Sequence, residues 1–320
     1  MKIKDRYLVT GGTGLIGSSL INKLVEIGAD ITCPVRSMDK VHAMFEKRLE
    51  DSVRWIETPI DVFLKDLSVE FDYIIHCASP TASKYFVDCP VETLSFSWDT
   101  TSMLLDYARR NAIKGMVYLS SLESYGTVLE DSYAISEEYQ GYVNPMETRS
   151  SYNVAKRMCE CLCHAYAKEY NVPVKVIRLT QTVSPHISRN DMRVFAQFAR
   201  YAAKGEDIEL HTEGLAARQY IHIDDAITAI LCVLFRGEAG EVYNAAREDS
   251  YISVRDLAQF VQDSFNRSGK VVINLRDDMG YAPLTRIKLN TNKLRSLGWE
   301  AKYGLYEMFE DLIIGLRNVQ

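Results

Sequence analysis

No stretch of this 320-residue chain approaches the roughly 20 consecutive apolar residues that a membrane-spanning helix requires. The apolar run after the charged start Met1-Lys2-Ile3-Lys4-Asp5-Arg6 is too short for a signal peptide. Basic charge is also in short supply: 37 Lys and Arg against 43 Asp and Glu leave a formal charge of −6. That balance argues against general nucleic-acid binding and a polybasic membrane surface, while leaving a nucleotide ligand open. Seven cysteines, an odd number, sit mostly in apolar runs, as Cys77 and Cys232 do. Reduced core thiols suit that pattern better than a disulfide framework. Cys159, Cys161 and Cys163 alternate on a segment read as helix, so Cys161 points away from the other two, poor geometry for a shared metal. The histidines lack a His-Glu-x-x-His pattern, and His76 and His222, at or near strand ends, read as packing or hydrogen-bonding residues. No metal site is expected, and a cytoplasmic protein is the simplest expectation.

What is present is alternation. Tyr7-Leu8-Val9 reads as a first strand and Leu15 to Ile27 as the helix after it. Ile31–Val35, Val53–Ile56, Tyr73–Cys77, Met116–Leu119 and Val174–Leu179 read as further strands, with long helices over about 91–111 and 151–170. This order predicts an α/β fold with a doubly wound parallel sheet. After Leu179 the pattern changes: an amphipathic segment at Met192–Lys204, a strand near Ile208–His211, a strand–helix unit at Gln219–Phe235, and a strand at Val242–Asn244. The tail from Ile252 to Gln320 reads as mostly helical, with a turn region at Asn290–Leu297. We therefore expect a dinucleotide-binding domain over 1–179 plus about 215–245. Segments 180–214 and 246–320 would form a smaller mixed substrate domain, with a cleft between the two.

Thr10-Gly11-Gly12-Thr13-Gly14-Leu15-Ile16-Gly17 follows the first strand directly and opens the first helix. Glycines there permit a tight turn, close approach of a pyrophosphate and close helix packing, with helix N-terminal amides facing the phosphates. The spacing is Gly-x-x-Gly-x-x-Gly. At the end of the second strand, Val35 stands where an NAD enzyme usually places an acid for the ribose hydroxyls, and Arg36 follows. A guanidinium suits a 2′-phosphate, so NADP is favoured over NAD. Asp61, past the third strand, either holds the adenine amino group or begins a turn. Farther along, Tyr152 and Lys156 lie one helical turn apart on one face. A lysine at that position favours the phenolate, making Tyr152 a base that takes a hydroxyl proton while a hydride leaves the same carbon.

Together these residues resemble the extended short-chain dehydrogenase/reductase family, in particular its nucleotide-sugar epimerase/dehydratase branch, over nearly the whole chain. The resemblance implies a Rossmann-type sheet and a cofactor site at Gly11, Thr13, Gly14, Leu15, Ile16 and Gly17. His76-Cys77-Ala78-Ser79-Pro80 is similar to the family's fourth-strand end, which assigns Ala78 to the cofactor and Ser79 to the substrate. Ser120-Ser121-Leu122-Glu123-Ser124-Tyr125-Gly126 is similar to the loop carrying the catalytic Ser or Thr. The implied catalytic set is thus Ser121, Tyr152 and Lys156, with Tyr152 and Lys156 also contacting the cofactor and Ser121 the substrate. Glu123 stands where family dehydratases and UDP-glucuronate decarboxylases carry a second acid/base. Arg218, in Arg218-Gln219-Tyr220-Ile221-His222-Ile223-Asp224-Asp225, is similar to the arginine that binds the substrate diphosphate. Hydride transfer, usually at the sugar C4, and a homodimer built on the two long helices are also implied.

The chain departs from the family at three positions. Leu122 replaces the aspartate of sugar 4,6-dehydratases, which counts against ordinary dehydration and leaves net epimerisation as the favoured reaction. Gln181 replaces a common substrate-contacting asparagine, and Ser184 a common glycine. Asp191-Met192-Arg193-Val194 and Arg149-Ser150-Ser151-Tyr152 are similar to the decarboxylase branch. The alternatives are a UDP-glucuronate-decarboxylase-like enzyme and an NADPH-dependent carbonyl reductase like the dihydroflavonol reductases. From another class, a non-catalytic NAD(P)-sensing protein remains as a third.

Overall fold

The computed structural model describes residues 5–65, 69–128, 132–276 and 284–318. The ends of the expected domains, at 1–4 and 319–320, lie outside the described residues. Six apolar runs form strands β1 (Arg6–Thr10), β2 (Asp30–Val35), β3 (Val53–Glu57), β4 (Tyr73–His76), β5 (Gly115–Ser121) and β6 (Val174–Leu179). Between them run α1 (Leu15–Glu26), α2 (Met38–Met44), α3 (Lys47–Glu50), α4 (Ile60–Lys65), α5 (Ser83–Asp88), α6 (Pro90–Arg110) and α7 (Ser151–Tyr170). Then come β7 (Gln181–Val183), α8 (Val194–Lys204), β8 (Ile208–Leu210), β9 (Ala217–Arg218), β10 (Tyr220–His222), α9 (Ile223–Arg236) and β11 (Val242–Ala245). The remainder holds β12 (Ile252–Ser253), α10 (Val254–Phe265), β13 (Val271–Ile273), β14 (Arg286–Ile287), α11 (Asn292–Ser296) and α12 (Leu305–Asn318).

Seven strands form one parallel sheet in the order β11-β6-β5-β4-β1-β2-β3. The chain winds outward from β1 to β3 and returns on the other side of β1 at β4, so a crevice opens beyond the carboxyl ends of β1 and β4. Helix α1 buries Gly17, Leu20, Ile21 and Leu24, the three- and four-residue spacing of one face. That face joins α9 in the core on one side of the sheet, while α6 and α7 pack on the other through Leu104, Leu105, Cys159 and Cys163. A separate core gathers α8, α10 and α12 around Phe195, Phe198, Leu257 and Phe309.

The tail differs from its expectation. It carries α10, α11 and α12, but also β12, β13 and β14, which pair with β9 and β8. Strands of two or three residues held by distant partners have no periodicity of their own to read. The supposed turn region at 290–297 contains α11. Strand β9 pairs with β12 and β14 outside the main sheet, so Arg218 stands in this smaller assembly. A fourth apolar cluster, with Leu122, Tyr125, Ile287 and Leu289, joins the segment after β5 to β14. Buried Asp225 at the start of α9 accepts the backbone amides of Lys302 and Tyr303, fastening the last segment to the sheet. All seven cysteines are free thiols; Cys159 and Cys163 are buried and Cys161 is exposed. Among the described residues, no helix is long and apolar enough to cross a membrane.

Candidate active site

At the crevice, the loop between β1 and α1 is shaped by its own packing. Gly11 has φ +72, and a Cβ there would stand 2.7 Å from the Ala78 amide nitrogen. A Cβ on Gly12 would meet Cys33 Sγ and Ile21, and one on Gly17 would meet the carbonyl of Gly11. Gly14 is different: a Cβ would lie 3.2 Å from Gly11 O, and the residue is the N-cap of α1 with no side-chain cap. A helix start with glycine at its N-cap and no side-chain cap fits a phosphate. Thr13, Leu15 and Ile16 lie on this turn, and Ala78 closes its far side, where its amide donates to Thr10 Oγ1 at 3.2 Å. Thr10 Oγ1 is 2.7 Å from His76 Nδ1, and His76 Nε2 is 3.2 Å from Thr101 Oγ1. Burial and the nearby Lys156 charge hold the His76 pKa down at about 3, so it is a neutral hydrogen-bonding residue.

Val35 is buried, and Arg36 beyond it is exposed. Alongside Val35 in the ladder is Glu57, whose Oε1 accepts from the Met38 amide at 3.0 Å. Asp61 falls in the first turn of α4, half exposed and 3.8 Å from Lys65.

Ser121 ends β5 and caps a 3₁₀ turn, Leu122–Tyr125, its Oγ accepting from the Glu123 amide at 3.2 Å. Tyr152, near the start of α7, is 8% exposed, and its ring stacks on Phe86 with centroids 4.2 Å apart and planes 10° apart. Lys156, 3% exposed, donates to Leu119 O at 2.8 Å and lies 4.8 Å from the Tyr118 ring centroid and 5.6 Å from that of Tyr152. The structure thus brings Ser121, Tyr152 and Lys156 together.

Burial dominates the electrostatics of the pair in the protein alone. Burial pushes the Tyr152 phenol well above its usual range and Glu123 adds to that, while a hydrogen bond with Ser121 and the Arg149 charge pull the other way. Lys156 donates one hydrogen bond to the Leu119 carbonyl, and burial draws its own pKa down to about 8. Desolvation of both charged forms outweighs their attraction in the protein alone.

Two side chains one and five residues beyond Tyr152 hold the loop. Asn153 Nδ2 donates to Glu123 O at 2.7 Å. Arg157 donates to Ser124 O at 2.6 Å, Tyr125 O at 3.0 Å and Gly141 O at 2.7 Å. Behind them, buried Glu160 pairs with Arg178 at 2.7 and 3.0 Å and accepts from Ser120 Oγ.

Above the loop lies a cleft of about 250 Å³ lined by Leu122, Glu123, Asn144, Arg149, Asn153 and Arg218, among others. Glu123 from the turn after β5 and Arg218 from β9 both line it, and Leu122 lines it from the apolar cluster. Ser79 and Gln181 are not on its wall: the Ser79 hydroxyl donates to Pro80 O at 3.2 Å, and Gln181 begins β7 beside Tyr220. Sequence reasoning missed Arg149 as a site residue. Its Nη2 is 2.8 Å from Glu123 Oε2, and its guanidinium carbon is 4.9 Å from the Phe86 ring centroid. Asn153 and Phe86 were missed too; the position of Arg149 three residues before Tyr152 was the one available signal.

Comparisons with known proteins agree with the fold. The model of the NAD dependent epimerase/dehydratase family matches residues 7–246. UDP-glucuronic acid decarboxylase 1 of Xenopus tropicalis is 28% identical over 314 residues, 96% of this chain and 70% of that protein. Among solved structures, the UDP-glucose 4-epimerase of Thermotoga maritima with UDP-glucose superimposes with a TM-score of 0.85 at 21% identity, covering 98% of this chain and 99% of that one. A dTDP-glucose 4,6-dehydratase of Streptomyces venezuelae with NAD bound gives a TM-score of 0.79 at 22% identity, covering 98% and 97%.

Proposed function

This chain belongs to the NAD dependent epimerase/dehydratase family, and on that premise we propose that it oxidises a ring carbon of a nucleotide sugar, C4 by our reading, and inverts it. The observation that carries the reading is the assembly of Ser121, Tyr152 and Lys156, whose chain neighbours Leu122, Glu123 and Asn153 line a cleft that Arg218 also lines. Ser121 holds the reacting hydroxyl, Tyr152 takes its proton, and Lys156 supplies the positive charge beside the base. Gly11 to Gly17 and Ala78 hold the dinucleotide, which when bound supplies the hydride acceptor. Arg36 favours NADP, because no acid stands at Val35 to meet a free ribose hydroxyl. Arg218 meets the substrate diphosphate. The ketone carbon left by oxidation is planar, so return from the other face inverts it, and Leu122 offers no acid to expel a neighbouring hydroxyl.

Decarboxylation is the second reading. The Glu123–Arg149 pair in the cleft and the 28% likeness to UDP-glucuronic acid decarboxylase 1 over nearly the whole chain favour it. We further propose a homodimer through α6 and α7, whose outer surface includes Trp98, 44% exposed. The test is a panel of UDP-, dTDP-, GDP- and CDP-sugars with NAD and NADP, read by NMR and mass. Inversion at C4 supports the first reading, and loss of carbon dioxide from a nucleotide uronate supports the second. No turnover of any nucleotide sugar overturns both.

A further inference from the structure

Arg149 is held differently from the other arginines around the loop. Arg157 spends its guanidinium on three backbone carbonyls, and Arg178 on the buried Glu160 and the carbonyl of Glu137. Arg149 instead meets one carboxylate, Glu123, and one ring face, Phe86. Its Nη1 is buried with no partner among the described residues. The same Phe86 ring lies flat against Tyr152, and the Ser151 hydroxyl donates to the Phe86 carbonyl at 3.0 Å, fixing α5 to the start of α7. Glu123, Arg149, Phe86 and Tyr152 therefore form one continuous series of contacts from the cleft to the base.

We propose that Arg149 is a positioning residue that fixes Glu123 in the cleft and, from its seat on Phe86, offsets the charge of Glu123 at Tyr152. The inference rests on the reading of Tyr152 as the base. The charged or titratable groups around Tyr152 are Glu123 from the loop, Arg149 from the turn before α7, Lys156 from its own helix, and Tyr118 from β5. Without Arg149, the carboxylate of Glu123 would stand beside the phenol unopposed, and the base would form only at higher pH. The carboxylate and the base must sit close together to serve one sugar ring, so a cation between them resolves a conflict that the site otherwise contains.

The test is a tyrosinate absorbance titration of the protein saturated with oxidised cofactor, taken as the difference from Y152F. R149Q is expected to move the Tyr152 midpoint up by about one pH unit, the low end for a neighbouring charge because the Arg149 and Glu123 side chains are 25% and 28% exposed. E123Q should move it down, and the double variant should return it to within about 0.3 unit of the wild type. R149K, which keeps the charge but loses the planar seat on Phe86, should fall between R149Q and the wild type. If Tyr152 titrates but neither R149Q nor E123Q moves the midpoint, the proposal is overturned and the base reading stands. If Y152F titrates like the wild type, the base reading itself is wrong. Should R149Q fail to fold, E123Q alone decides: no downward shift overturns the coupling.

Discussion

The two halves of the site are built in opposite ways. The cofactor crevice centres on one unbroken run, Gly11 to Gly17, whose glycines are demanded by the protein itself: Gly11 abuts Ala78, Gly12 abuts Cys33, and Gly17 abuts Gly11. The sugar cleft collects Glu123, Arg149 and Arg218 from three separate elements, and main-chain and ion-pair contacts reaching 16 to 33 residues along the chain hold its loop. On the proposed reading, the half centred on one run binds the dinucleotide, and the half gathered from separate elements decides what happens to the sugar.

Four measurements test that contrast. The largest effect is expected from Tyr152→Phe, which should cut turnover by about 10² to 10⁴-fold while leaving cofactor affinity within about threefold. A comparable loss of cofactor binding would mean that the two halves are not separable. Next comes the crevice's buried imidazole. The pKa of His76 is depressed from 6.5 to about 3, so the unfolded chain takes up a proton that the folded one refuses. Stability is therefore fully present above pH 6.5 and is lost as pH falls towards 3, on the order of 5 kcal/mol in all. Urea midpoints of H76Q between pH 7 and 4 should be flatter than wild type, from a lower baseline; an unchanged slope would show that His76 is not the group responsible. Third, Gly11→Ala places a side chain at φ +72 against the Ala78 backbone, and should lower stability by about 2 to 3 kcal/mol by urea denaturation. A neutral result would remove the claim that packing dictates the crevice. The smallest effect is expected from Arg36→Ala: about a tenfold weaker Kd for NADP with NAD nearly unchanged, as suits one exposed charge-assisted contact.

The same contrast explains what could be read from the sequence. Strands β1 to β6 and helices α1, α6 and α7 were legible to within a few residues because apolar spacing records burial locally. Ser121, Tyr152, Lys156 and Arg218 were legible as a resemblance, and the fold brings the first three together. Arg149 was visible only as part of a stretch, because its partner Glu123 is 26 residues away and nothing in the spacing selects it. Phe86 was silent, since a buried aromatic on a short helix has the same sequence signature whether it packs on a core or on a base. The burial that raises the Tyr152 pKa, and the Leu119 carbonyl that Lys156 meets, were not legible, because spacing records neither desolvation nor a distant acceptor. Strands β12 to β14 were invisible for want of length.

Arg157 and Asn153 grip the catalytic loop only by carbonyl oxygens. Carbonyls are common to every amino acid, so the identity of the side chain at 123 contributes nothing to this grip. The loop is in that sense an exchangeable cassette on a fixed mount. Descendants of this chain can try a new residue at 123 without disturbing the alignment of Ser121 with the helix that carries Tyr152, which is a route by which one scaffold acquires several reactions.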